Sequence, residues 1–135
     1  MSVETGVLVN LKGKPIYWHL PPGRNDTYLP DSRDLWAIIW ENRKDVLGFA
    51  HSHPGTSNPS PSPSLEDLTT FAAVEAGLGK RLLWWICTQT YLSTFMWDGP
   101  GVYQYTRIRP WEDDYKFQAN PSWLKQLRSL SYKGE

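Results

Sequence analysis

Apolar residues fall along this chain at two spacings. Short apolar runs bounded by charged, Gly or Pro clusters read as strands: residues 5–10 and 16–18, joined through Lys12-Gly13-Lys14 as a hairpin, then 46–50, 82–87, 91–97 and 102–108. The break at Asp98-Gly99-Pro100-Gly101 joins the last two as a second hairpin. Other stretches repeat at helical spacing. Asp31 or Ser32 caps one that runs to about residue 42 and carries Leu35, Trp36, Ile38, Ile39 and Trp40. A second begins behind Ser64, covers 65–78 and ends at Gly79, a left-handed stop signal. A short third starts at Asn120-Pro121 and places Trp123, Leu124, Leu127 and Leu130 on one side.

Trp84 and Trp85 are neighbours in a strand and so point to opposite faces. Both faces of the sheet then need cover, which predicts an α/β fold: a mixed sheet with helices on each side. A length of 135 residues suits one compact domain. Fourteen basic against fourteen acidic residues leave no net charge and no basic stripe, which argues against a nucleic-acid partner. No apolar run reaches membrane-spanning length, and the start MSVE lacks a basic, then apolar, leader. A cytoplasmic protein is expected. Cys87, the single cysteine, falls in an apolar strand and reads as a buried thiol.

Candidate chemistry concentrates in residues 51–67, HSHPGTSNPSPSPSLED. Two of the three histidines, His51 and His53, follow the 46–50 strand one residue apart, so alternation points both to one face and Ser52 to the other. Pro54 ends the pairing. Ser60-Pro61-Ser62-Pro63 favours extended backbone, a stiff spacer or else a docking motif. Helical phase separates the two acids beyond it. Asp67 shares a stripe with Phe71, Val74 and Leu78, and Glu66 with Thr70, Ala73 and Gly77. A carboxylate on the apolar side needs a partner, and a cation shared with two imidazoles supplies one. Two His and one Asp are a three-ligand set of the catalytic zinc type, with a fourth position for water. Ser64-x-x-Asp67 is equally a capping box. Glu4, on the face of Gly6 and Leu8, and Glu41, in the first helix, are both candidates for a fifth group. His19 has no partner at ligand spacing and reads as a loop histidine ahead of a polar surface loop over 21–30.

On these residues the chain resembles the JAMM (MPN+) metalloproteases. Their signature is a Glu on an early strand, His-x-His-Pro, a loop and Ser-x-x-Asp; the matching positions are Glu4, His51, His53 with Pro54, Ser64 and Asp67. The resemblance spans roughly residues 1–108 and selects Glu4 over Glu41. Residues 109–135 are then a C-terminal extension whose short amphipathic helix must pack on its own domain, a second copy or a partner.

The resemblance implies a cytidine-deaminase-like α/β sandwich and one Zn2+ per chain, held by His51, His53 and Asp67. Glu4 is then the general base acting on the zinc-bound water, and Ser64 stabilises the oxyanion. It also implies hydrolysis of amide or isopeptide bonds after the C-terminal tail of a ubiquitin-like protein. The short chain looks like the compact prokaryotic or phage-type branch, for which cell-wall or phage-tail peptides are alternative substrates. A non-catalytic interaction module of the same fold is the other alternative. The loop over 54–63 looks a few residues longer than is usual in the family.

Overall fold

The computed structural model describes residues 2–54, 62–108 and 121–132. The Pro/Ser spacer's residues 55–61 and the Asn120 cap lie outside them. Strands β1 (Gly6–Asn10), β2 (Pro15–His19), β3 (Val46–Ser52), β4 (Leu83–Cys87), β5 (Leu92–Trp97) and β6 (Tyr105–Ile108) form one sheet, in the order β2-β1-β3-β4-β5-β6. Only β3 and β4 are parallel. A parallel pair needs a long crossover, and helix α2 (Leu65–Leu78) supplies it. Helix α1 (Arg33–Glu41) precedes β3, and α3 (Leu124–Ser131) follows β6.

The two tryptophans of β4 divide the core as alternation demands. Trp84 lies on the face covered by α1 and α2, in a cluster with Leu8, Leu35, Ile39, Phe71 and Val74. It stacks on Phe71 with ring centroids 4.2 Å apart. Trp85 lies on the other face with Val7, Val9, Ala50 and Cys87, under Trp123, Leu124 and Leu127. Its ring meets Trp123 edge-on at 5.2 Å. Helix α3 thus buries its apolar side on this sheet. Burial pushes the Cys87 thiol up to about 12, as expected of a structural cysteine.

Element boundaries follow local chemistry. Ser32 Oγ accepts from Leu35 N to start α1, and Gly79, at a φ of 69°, ends α2 in the left-handed conformation. Two expected boundaries move. The last strand begins at Tyr105 rather than 102, because Asp98 N bonds the Gln104 carbonyl and Gln104 N bonds that of Gly101, so those residues make the turn. The third helix begins at Leu124, because Leu124 N bonds the Pro121 carbonyl in a turn that comes first. No helix among the described residues is long and apolar enough to cross a membrane.

Glu75 holds α2 in place. It is buried on the inner side of the helix and accepts from four donors. Oε2 takes Leu82 N and Trp84 Nε1, both at 2.9 Å. Oε1 takes Arg81 Nη1 at 3.0 Å and the Tyr105 hydroxyl at 2.6 Å. One carboxylate therefore ties α2 to the start of β4 and to β6. We predict that Glu75→Ala lowers unfolding free energy by about 3 kcal/mol or more, because buried donors lose their acceptor. A urea titration checks this, and a loss under about 1 kcal/mol contradicts it.

Candidate metal centre

The site forms where β1 and β3 part. Gly6 pairs with His19 on β2 and with His51 on β3, so the two histidine side chains leave the same face of the sheet. A Cβ on Gly6 would stand 2.3 Å from Phe49 Cζ. Its absence lets that ring lie across β1. Beyond Ser52, His53 N still bonds the Cys87 carbonyl at 2.9 Å, which holds the second histidine in line although the strand has ended.

Helix α2 brings the carboxylate. Ser64 Oγ accepts from Asp67 N at 3.0 Å, and Asp67 Oδ2 accepts from Ser64 N at 2.9 Å, a complete capping box. The same carboxylate faces the histidines. Asp67 Oδ1 is 3.1 Å from His51 Nε2, Oδ2 is 3.1 Å from His53 Nε2, and the two nitrogens are 2.9 Å apart. Donor atoms held by a metal at about 2.0–2.1 Å sit roughly 3.0–3.4 Å from one another, so the set fits one ion. The same spacing lets one imidazole N–H donate to the other ring's nitrogen. A Glu4 oxygen lies within 4.8 Å of a ring nitrogen of each histidine, so Glu4, His51 and His53 also form a group able to hold a metal. Asp67 makes the closer contacts with the two histidines, and Glu4 lies beside them.

Glu4 is 9% exposed and its backbone is fixed from the 20–32 loop. Glu4 N donates to the Asn25 carbonyl at 2.7 Å, and Arg24 Nη1 donates to the Glu4 carbonyl and to Thr5 Oγ1. Burial pushes the Glu4 carboxyl up to about 7, with His51 and His53 pulling against it. Burial acts on Asp67 in the same sense. There the His51 charge and hydrogen bonds from both histidines and Ser64 N prevail, and the carboxyl is held far below the usual range.

His19 is not in a loop. It ends β2, is 2% exposed, and places Nε2 at 2.6 Å from the Pro30 carbonyl, pinning the 20–32 loop to the sheet. Its place opposite Gly6 depends on a register shift between Leu8 and Val9, which counting from the hairpin turn misses by one residue. Glu41 is exposed at the end of α1, away from the cluster. Glu66 is exposed and borders a cleft of about 750 Å3 into which Glu4, His51, His53, Ser64 and Asp67 open. Tyr28, Leu29 and Pro30 from the loop, Leu35 and Trp36 from α1, and Thr69, Thr70 and Ala73 from α2 line it with Phe49, Phe71 and Trp84. Asp26 and Asp31 line it as well, and no lysine or arginine among the described residues does.

The family model for prokaryotic homologs of the JAB domain matches residues 6–98, 93 of the 135. The chain belongs to that family. In this JAB-domain protein the match takes in His51, His53, Ser64 and Asp67, begins two residues after Glu4 and stops before β6 and α3. No curated protein sequence matches the chain.

The raised Glu4 pKa fixes the sign of a pH effect. The fold prefers the protonated carboxyl, so its contribution is full below the ordinary value of 4.5 and is lost as pH rises to about 7. With metal stripped by chelator, native stability relative to Glu4→Gln should fall across that window by up to about 3 kcal/mol. Urea titrations of both proteins from pH 4 to 8 test this, and a difference independent of pH contradicts it.

Proposed function

We propose that this JAB-domain protein is a zinc-dependent isopeptidase or peptidase that hydrolyses the amide bond after the C-terminal tail of a ubiquitin-like protein. One observation carries the reading: two imidazole nitrogens and the Asp67 carboxylate converge within 3.1 Å, with a buried carboxyl, Glu4, next to them. His51, His53 and Asp67 would hold the zinc. Bound there, zinc supplies Lewis acidity toward a carbonyl and lowers the pKa of a water toward neutrality.

The chain's own residues do the rest. Glu4, buried beside the two histidines, takes a proton from the attacking water at its carboxylate and delivers it to the departing amine. Ser64 faces the cleft with Oγ accepting from Asp67 N. The cap uses one lone pair and leaves the hydroxyl proton to donate to the developing oxyanion. The cleft is large enough for an extended tail, and its acidic lining suits one that carries basic side chains. A module used only for binding gains nothing from a carboxyl buried against two histidines, which counts against the non-catalytic alternative.

The test compares the native chain with His51→Ala/His53→Ala and with Glu4→Gln. Native protein should carry one zinc and cleave a Gly-Gly-tailed ubiquitin-like fusion. The double variant should carry none. Glu4→Gln should keep its zinc and lose at least about 100-fold in kcat, because it removes a base and not a ligand. A native chain that takes up no zinc, or a Glu4→Gln chain that still turns over, overturns the reading. Cleavage of cell-wall peptides in place of the fusion would reassign the substrate.

A further inference from the structure

Helix α3 lies outside the family-matched residues, yet its last turn reaches the back of the metal site. Ser52 stands between His51 and His53 with its side chain on the opposite face, fully buried. There β1 and β3 separate: Ser52 N still bonds the Thr5 carbonyl at 3.1 Å, while the chain beyond turns to pair His53 N with Cys87. Thr5 N therefore finds no backbone acceptor on β3. Ser52 Oγ takes its place at 3.0 Å.

That hydroxyl is in turn held by α3. Ser131 Oγ lies 2.8 Å from Ser52 Oγ and 2.6 Å from the Leu127 carbonyl oxygen. The Ser131 carbonyl accepts from Val3 N at 2.9 Å, and Ser2 bridges to Tyr132. Thr5, Ser52 and Ser131 are all fully buried, so water cannot substitute for a lost partner. Val3 and Thr5 flank Glu4, and His51 and His53 flank Ser52. One pair of buried hydroxyls thus spans the two segments that carry the site.

We propose that Ser52 and Ser131 are positioning residues, a hydroxyl pair through which α3 sets the spacing between Glu4 and the His51/His53 pair. The proposal rests on the metal reading above. Its test is zinc affinity, measured by competition with a chromophoric chelator, together with the visible spectrum of the Co2+-loaded protein. The variants are Ser52→Ala, Ser131→Ala, their combination, and Leu127→Ala, which removes α3 packing but no hydroxyl.

Each single serine variant should weaken zinc by about tenfold, as loss of a group that orients ligands does elsewhere, and should shift the Co2+ bands. The double variant should be no worse than about the weaker single one, since the two act in series. Leu127→Ala should keep zinc affinity within about twofold despite a lower unfolding midpoint. Native affinity in both serine variants overturns the proposal, as does an equal loss in Leu127→Ala. A native chain that binds no zinc overturns the parent reading instead.

Discussion

The fold depends at its centre on one carboxylate used twice. Asp67 closes the capping box that starts α2 through Oδ2, and its two oxygens meet His51 and His53 at 3.1 Å. An acid at the third helical position is favoured there by the exposed backbone N–H groups and the helix dipole. Capping geometry aims that acid at the end of β3. Helix start and candidate metal site are therefore one structure, and a change that frees the cap also moves the Asp67 carboxylate.

Three further devices keep that junction in register. Glu75 anchors the far half of α2 to β4 and β6, so the helix cannot rotate Asp67 away. His19 and Arg24 hold the 20–32 loop against the sheet and fix the backbone of Glu4. On the opposite face the Ser52 and Ser131 hydroxyls bond each other beside the buried apolar cluster under α3.

Much of this was legible in the sequence where local rules decide. Helix α2 runs over the expected residues because a Ser cap and a left-handed Gly mark its ends. The two histidines follow from strand alternation, and the inward turn of Asp67 follows from helical phase. Nonlocal features were not legible. Glu4 could be told from Glu41 only by family resemblance, since its burial depends on a loop bonded to it from some twenty residues away. Glu75 shares the inner stripe of α2, at i+8 from Asp67, but its donors come from two separate segments, 81–84 and β6. Ser52 looked like a residue that merely points away, and the helix that gives it a partner lies 79 positions on.

The central claim is that His51, His53 and Asp67 hold one divalent ion with room for water. X-ray absorption at the zinc edge of the loaded protein tests it most directly. The account predicts four nitrogen and oxygen neighbours at about 2.0–2.1 Å, with outer-shell scattering from two imidazole rings. Scattering from fewer than two imidazoles, or a sulfur neighbour at about 2.3 Å, would contradict it.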